Sequence, residues 1–387
     1  MKTTKKIFAG ISLVFFLIIL VHFALGYGYI IKAVFFTYFR GQKGPGIAEH
    51  HLFYNHKLAS VSPVSFNDQE ANISLDTEDS LLLEDLETAG FLVIKDKEII
   101  HESYLNGFSQ SSTTNSFSAA KSMVSLCIGV AIDEGYISSV NEKVSTFLPS
   151  FKEGEKTKLT IRHLLTMSSG LSWSESGKNP YSNNAEAYYG ENLRGLVLTQ
   201  DVKTSPGKVF DYKSGDTQLL TFILEKATGK TLTAYFYEKI WAKINTEHQG
   251  YWNLDKENGD EKGYCCLYAS ARDFAKFSQL ILNNGTWEGE QIISKEYLQN
   301  ALFPAQQITE KSGAENNRYG WHWWYANKEG KHIHYGRGLF GQYYITIPAD
   351  NLIIVRTGWK RKPKGEDGHT KDFWDYIRIA YTLVNKI

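Results

Sequence analysis

The run SFSAAKSMVSLCIGVAID at positions 116–133 constrains the fold more than any other stretch of the chain. It is long enough for a helix, and its apolar residues fall on every side of one. That pattern predicts a buried central helix rather than a helix with one wet face. Gly135, after Asp133-Glu134, supplies a C-terminal stop. A helix buried all round needs packing layers about it, and 387 residues suffice for one large domain or two modest ones. At the mouth of the run stand Ser118 and Lys121, one helical turn apart. A buried ammonium is costly unless something partners or uses it.

Strand patterns lie toward both ends of the chain. FLVIKDKEIIHESY (91–104) reads as a hairpin about Asp96-Lys97. KHIHYG (331–336), QYYITIP (342–348) and NLIIVRTG (351–358) read as late strands, with Pro348-Ala349-Asp350 as the last turn. TKDFWDYIRIAYTLVNKI closes the chain as a helix with Phe373, Ile377, Ala380 and Val384 on one face. TEDSLLLEDLETAG (77–90) reads as a short amphipathic helix capped by Thr77 and stopped at Gly90. Residues 47–75 show no period and read as an arm. The middle of the chain is mostly helical. The expected class is α+β: an antiparallel sheet formed by N- and C-terminal strands, flanked by helices, with a largely helical middle region.

Lys2, Lys5 and Lys6 precede the uncharged stretch from Ile7 to Gly26, about the length of a membrane-spanning helix. A cleaved signal peptide is the alternative; the length of the run and the lack of a small-x-small cleavage site favour a signal anchor. Tyr27 to Phe39 is rich in Tyr and Phe and suits a membrane interface, and GQKGPG (41–46) suits a hinge. The expected division is 1–45 as anchor and hinge, 46–85 as arm and short helix, and 86–387 as the catalytic domain. That domain is expected outside the cytoplasm, periplasmic or extracellular, with the bilayer as a partner. Forty-two basic and 42 acidic side chains balance, so no nucleic-acid partner is expected.

A serine hydroxyl becomes a nucleophile only when something takes its proton. A lysine three residues on lies over the same helical face, and burial lowers its pKa toward that of a useful base. Ser118 in the first turn also lies near free backbone N–H groups. The bland alternative is an N-cap serine with Lys121 reaching to water. A second Ser-x-x-Lys, Ser205 to Lys208, contains Pro-Gly and reads as a turn. Cys127, Cys265 and Cys266 make no disulfide framework: Cys127 reads as a core residue, and Cys265-Cys266 are poorly placed to bond each other. His332 and His334 share a strand face without a third ligand at a telling spacing, and His163 reads as structural; no metal or cofactor is expected. Asn72-Ile73-Ser74 and Asn284-Gly285-Thr286 match the glycosylation pattern only. Trp321, Trp323, Trp324 and Tyr325 suit aromatic core or a cleft wall.

Three further stretches join Ser118-Ala119-Ala120-Lys121: HLLTMSSGL (163–171), Tyr212-Lys213-Ser214 before a helix, and Gly336-Arg337-Gly338 on a late strand. In this order they resemble the serine β-lactamase and penicillin-binding fold family, in its class C, esterase and 6-aminohexanoate-dimer hydrolase branch, over about residues 86–387. Gly-x-Ser-x-Gly, the elbow of α/β-hydrolases, is absent. The resemblance implies a serine hydrolase for a small ester or amide. Ser118 would form an acyl-enzyme, Lys121 would hold or receive its proton, and Tyr212 would shuttle that proton to the leaving group. Backbone N–H groups of Ser118 and of Leu339, which follows Gly338, would hold the oxyanion. Without the resemblance, Tyr212 reads as a core tyrosine. Arg337 is open between a binder of a substrate carboxylate and a solvated strand residue. Ser214 stands where class C enzymes have Asn, and Gly336 where family members have Lys or His. Those departures point to the esterase and amide-hydrolase members rather than to antibiotic hydrolysis. Two rivals share the fold: a sensor that is acylated without turnover, and an inactive binding module.

Overall fold

A computed structural model of the chain describes residues 2–61, 63–68 and 72–387. The principal sheet has seven strands in the spatial order Trp324–Lys328, Lys331–Gly338, Gln342–Ile347, Leu352–Gly358, Thr88–Lys95, Glu98–Tyr104 and Asn67–Asp68. Every pairing is antiparallel except the last, in which Asn67–Asp68 runs parallel to Glu98–Tyr104. The sheet is therefore assembled from the two ends of the chain, as the strand patterns predict. Its centre is the pairing of Leu352–Gly358 with Thr88–Lys95, where Leu92, Val93, Ile353 and Ile354 are fully buried. Both faces of that pair are covered, which explains runs of consecutive apolar residues rather than alternation. Asp96 and Lys97 turn the first hairpin with positive φ (52° and 71°), the conformation of a tight two-residue β-turn.

One face of the sheet receives the closing helix Lys371–Val384, with Phe373, Ile377, Ala380 and Leu383 against it. The other face receives Ala271–Leu282, whose Phe274 stacks on Tyr344 at 4.1 Å. Beyond it lies the helical region, centred on Ala120–Asp133, in which every residue from Ala120 to Ala131 is buried. Phe117–Ala119 forms a 3-10 turn that leads into this helix. The helix Ser214–Thr228 packs against it and ends at Gly229 in the left-handed region.

Several local expectations are corrected. The helix Thr77–Asp85 is capped by Asp76, whose side chain accepts the Asp79 N–H at 2.8 Å, so Thr77 is inside the helix. Gly90 belongs to the strand Thr88–Lys95 rather than to a helix stop, because pairing with Leu352–Gly358 claims that segment. The arm is not free: Asn55–Leu58 pairs with Gly250–Asn253 in a second, four-stranded sheet with Leu267–Ala269 and Thr114–Asn115. Ile47 and Leu58 are fully buried there. Cys265 and Cys266 are disulfide-bonded to each other. The chain turns through the left-handed region at Cys266 (φ 69°), which puts the two side chains on one side instead of alternating.

The N-terminal helix runs Lys2–Ala24 and exposes Phe8, Leu13, Phe16 and Phe23. Among the described residues no single helix is long and apolar enough to cross a membrane; Ser12–Ala24 and Gly28–Arg40, bent by 117°, have the length and composition only as a pair. The segment expected at an interface packs in part on protein. From Gly28–Phe36, Tyr29 is buried, Phe36 meets Phe53 edge-on at 5.3 Å, and Lys32 pairs with Glu191 at 3.0 Å.

Candidate active site

The candidate site is built around one hydroxyl, that of Ser118. Ser118 is half-buried in the 3-10 turn that opens the central helix. The residue before it, Phe117, has φ 44°, a left-handed conformation that costs a β-carbon residue about 1 kcal/mol or more. It is held there by the Asn115 side chain, which accepts the Phe117 N–H at 2.8 Å, and by an edge-on contact with Phe340. Asn115 is itself held by Tyr268 at 3.1 Å. The strain therefore sits where the surrounding sheet over-determines the backbone, next to Ser118.

Lys121 is 1% exposed. Its Nζ donates to three neutral oxygens: the Tyr264 carbonyl at 2.7 Å, Ser214 Oγ at 3.1 Å and Ser118 Oγ at 3.3 Å. The rings of Tyr212 and Tyr264 lie 5.1 and 5.5 Å away. Burial pushes the amine down to about 8, opposed by the negative charges of Glu175 and Asp216. A lysine in that range can exchange a proton with a serine near neutral pH, which an exposed lysine cannot. The reading of Lys121 as a chain reaching to water is excluded by its burial.

The Tyr212 phenol lies close enough to the Ser118 side chain to interact with it. Burial raises its phenol well above the ordinary range, as does Glu175; the Ser118 side chain and the Arg337 charge work the other way. It therefore stays protonated and can donate. Its ring lies against Trp324 (5.9 Å, interplanar 27°) and edge-on to Tyr319. Within the Trp321 to Tyr325 cluster both Trp323 and Trp324 are buried, and Trp324 lies against the Tyr212 ring. Trp324 also begins an edge strand, which the aromatic run concealed.

The third motif passes directly behind the serine turn. A Cβ on Gly338 would lie 2.1 Å from the Ser116 carbonyl oxygen, so only glycine permits the approach. Gly336 faces Ala119 and Ser122 more loosely, at 3.4 Å or beyond. Leu339 follows as the strand turns, with its side chain 37% exposed. Arg337 lies flat on Trp324, its Cζ 3.5 Å from the ring centroid, on the same indole that meets Tyr212. Its Nη1 is buried without a hydrogen-bond partner among the described residues. Desolvation, with the charges of Arg337, Arg318 and Arg361, lowers the Lys364 pKa. A cavity of about 540 Å³ opens beside Tyr212, lined also by Asp211, Lys311, Arg318 and Asp367.

The HLLTMSSGL stretch has a structural job. Thr160 and His163 form a reciprocal cap on the helix Ile161–Leu165, which assigns His163 a structural place. Ser169 Oγ donates to Asp216 at 2.6 Å and so ties this loop to the start of Ser214–Thr228. Burial pushes the Asp216 carboxyl up to about 8. Gly170 has φ 73° and no room for a Cβ beside the Thr204 carbonyl. Two participants were not legible beforehand: the Tyr264 carbonyl and Glu175, which accepts both the N–H and the hydroxyl of Ser214. Ser205 and Lys208 lie on an exposed turn, and His334 hydrogen-bonds the Leu302 carbonyl, away from the serine.

Known proteins share this fold. The chain is 24% identical over 301 residues to 6-aminohexanoate-dimer hydrolase of Paenarthrobacter ureafaciens, covering 72% of this chain and 74% of that one. A solved structure from Bacillus anthracis assigned as a 6-aminohexanoate-dimer hydrolase superposes with a TM-score of 0.77 at 23% identity, covering 88% of this chain and 94% of its own. A family VIII carboxylesterase superposes with a TM-score of 0.60 at 16% identity, over 80% and 99% of the two chains. The Beta-lactamase family model matches residues 82–373, three quarters of the chain, and the protein belongs to that family.

Proposed function

We propose that the protein is a serine hydrolase that cleaves a small ester or amide through an acyl-enzyme on Ser118. The observation that carries this reading is the convergence of a buried lysine amine and a tyrosine hydroxyl on one serine oxygen. Lys121 in its neutral form takes the Ser118 proton as the oxygen attacks the carbonyl carbon. The developing oxyanion is held by the backbone N–H groups of Ser118 and Leu339, a reading supported by the close approach of Gly338 to the Ser116 carbonyl. Tyr212 passes a proton to the departing alcohol or amine and then assists water in the second half of the reaction.

Arg337 supports a substrate that carries a carboxylate. Its Cζ lies over the Trp324 ring, and its buried Nη1 has no hydrogen-bond partner among the described residues. An anion there would satisfy a donor that is otherwise costly to bury. Ser214, in place of the class C asparagine, and Gly336, in place of lysine or histidine, favour small esters and amides over β-lactams. The exposed apolar side chains of Lys2–Ala24 support attachment to a bilayer, and the leading Lys2, Lys5 and Lys6 support an orientation with the catalytic domain outside the cytoplasm.

The test is treatment with a fluorophosphonate probe and with p-nitrophenyl esters. The expected result is labelling at Ser118 and steady turnover, both lost in Ser118→Ala. Labelling that halts after one equivalent of ester would assign a sensor instead. No labelling and no turnover would assign an inactive binding module.

A further inference from the structure

Glu175 lies on the loop after Trp173, outside every motif named above. Its carboxylate makes three hydrogen bonds. Oε1 accepts the Ser214 hydroxyl at 2.6 Å, and Oε2 accepts the Ser214 backbone N–H at 2.7 Å and the Trp173 indole N–H at 2.8 Å. Ser214 is the first residue of the helix Ser214–Thr228, and Lys213 before it makes no side-chain cap. Glu175 therefore caps that helix from a distant loop, where a negative charge is favoured.

The consequence reaches Lys121. A serine hydroxyl has one hydrogen. With that hydrogen given to a carboxylate, which only accepts, Ser214 Oγ can only accept from Lys121 Nζ. The Tyr264 carbonyl likewise only accepts. A neutral lysine amine has two hydrogens and one lone pair. Both hydrogens are claimed by these two acceptors, and the remaining contact is Ser118 Oγ.

We propose that Glu175 is a positioning residue: by holding the Ser214 hydrogen, it leaves the Lys121 lone pair directed at the Ser118 hydroxyl. The proposal rests on the reading of Lys121 as the base. In the step it serves, the Ser118 proton passes to Lys121 Nζ while Ser118 Oγ bonds the acyl carbon.

Glu175→Gln tests it with almost no change of shape. Two N–H donors meet Oε2, so the amide oxygen must take that side and the NH2 must face Ser214 Oγ. The Ser214 hydrogen is then turned toward Lys121, where it occupies the lone pair. The expected result is a fall in kcat/KM and in fluorophosphonate labelling of about a hundredfold, with KM little changed. The acidic limb of the pH profile should also move to lower pH, because a charge that favours the ammonium is gone; Asp216, Tyr212, Tyr264 and His322 also face Lys121 and are unchanged. In a Ser214→Ala background the same substitution should have almost no further effect on the rate. A helix cap alone would lower the urea midpoint and leave the pH limb in place. Wild-type rate and limb in Glu175→Gln, or an equal rate loss with and without Ser214, would overturn the proposal. The Lys121 titration is read separately from the ε-carbon signal of 13C-lysine-labelled full chain, assigned by its loss in Lys121→Met. That midpoint should fall in Glu175→Gln, and an unmoved midpoint would overturn the proposal even if the wild type fails to label at Ser118, a result that would refute the hydrolase reading by itself.

Discussion

Replacing Lys121 by Met should abolish activity and, at neutral pH, make the protein more stable. The side chain is 1% exposed, and burial lowers its pKa from 10.5 to about 8. A drop of that size means that keeping the amine protonated in the folded state costs about 3 kcal/mol relative to the unfolded chain. Between the folded and unfolded pKa values the unfolded chain holds the extra proton, so stability rises with pH across that window. The contribution is most favourable above the unfolded value of 10.5 and is lost as pH falls through about 8. Methionine removes this dependence, but it also strips a donor from the Tyr264 carbonyl, which costs about 1 kcal/mol. The variant should therefore gain about 2 kcal/mol at pH 7, and the difference between the two proteins should shrink by about 2 kcal/mol on going to pH 9.5. Urea denaturation of both proteins at several pH values measures this, because titrations common to the two cancel in the difference. A difference that does not change with pH, or a variant less stable than wild type at pH 7, would refute the claim that Lys121 is a desolvated amine.

Three other consequences are open to measurement. The kcat/KM for a neutral ester should rise about tenfold from pH 7 to pH 9, as the neutral fraction of Lys121 grows through its pKa of about 8; a flat profile, or a midpoint above 10, would contradict the assignment. Gly338→Ala should cost about 1–3 kcal/mol in urea and about a hundredfold in rate, since its Cβ would meet the Ser116 carbonyl at 2.1 Å and push the strand away from the serine turn; full activity would show that this approach does not set the oxyanion site. Arg337→Met should raise KM for an ester bearing a free carboxylate by about ten- to a hundredfold while leaving its uncharged analogue nearly unaffected, and equal losses on both would assign Arg337 a purely structural place.

What the sequence made legible was where periodicity and residue type act together. The central helix declared itself because no face of 120–133 is polar enough for water, and Lys121 inside it demanded partners. The hairpin at 91–104 and the strand at 351–358 were readable as apolar runs bounded by turn residues, and four motifs in order pointed to Ser118, Lys121 and Tyr212. Other features lacked such a signal. The Tyr264 carbonyl is a backbone atom, and every residue has one. Glu175 is one acidic residue in a polar loop, SWSESGKNP, and gains meaning only when a helix start more than 30 residues away is brought to it. Asp76 and Thr77 are both good caps, and the neighbouring residue won. Asn55–Leu58 is short and polar, and becomes a strand only because Gly250–Asn253 offers it an edge. The paired Cys265 and Cys266 depend on a left-handed turn that no composition rule announces.

The central claim is a covalent bond between substrate and Ser118. Rapid acid quenching during turnover of a slow ester, followed by mass analysis of the intact chain and its peptides, tests this directly. The expected result is a species heavier by one acyl group, mapped to the peptide containing Ser118, formed before product release and absent from Ser118→Ala. Turnover with no such species under conditions that favour its accumulation, or an adduct that survives in Ser118→Ala, would contradict the mechanism.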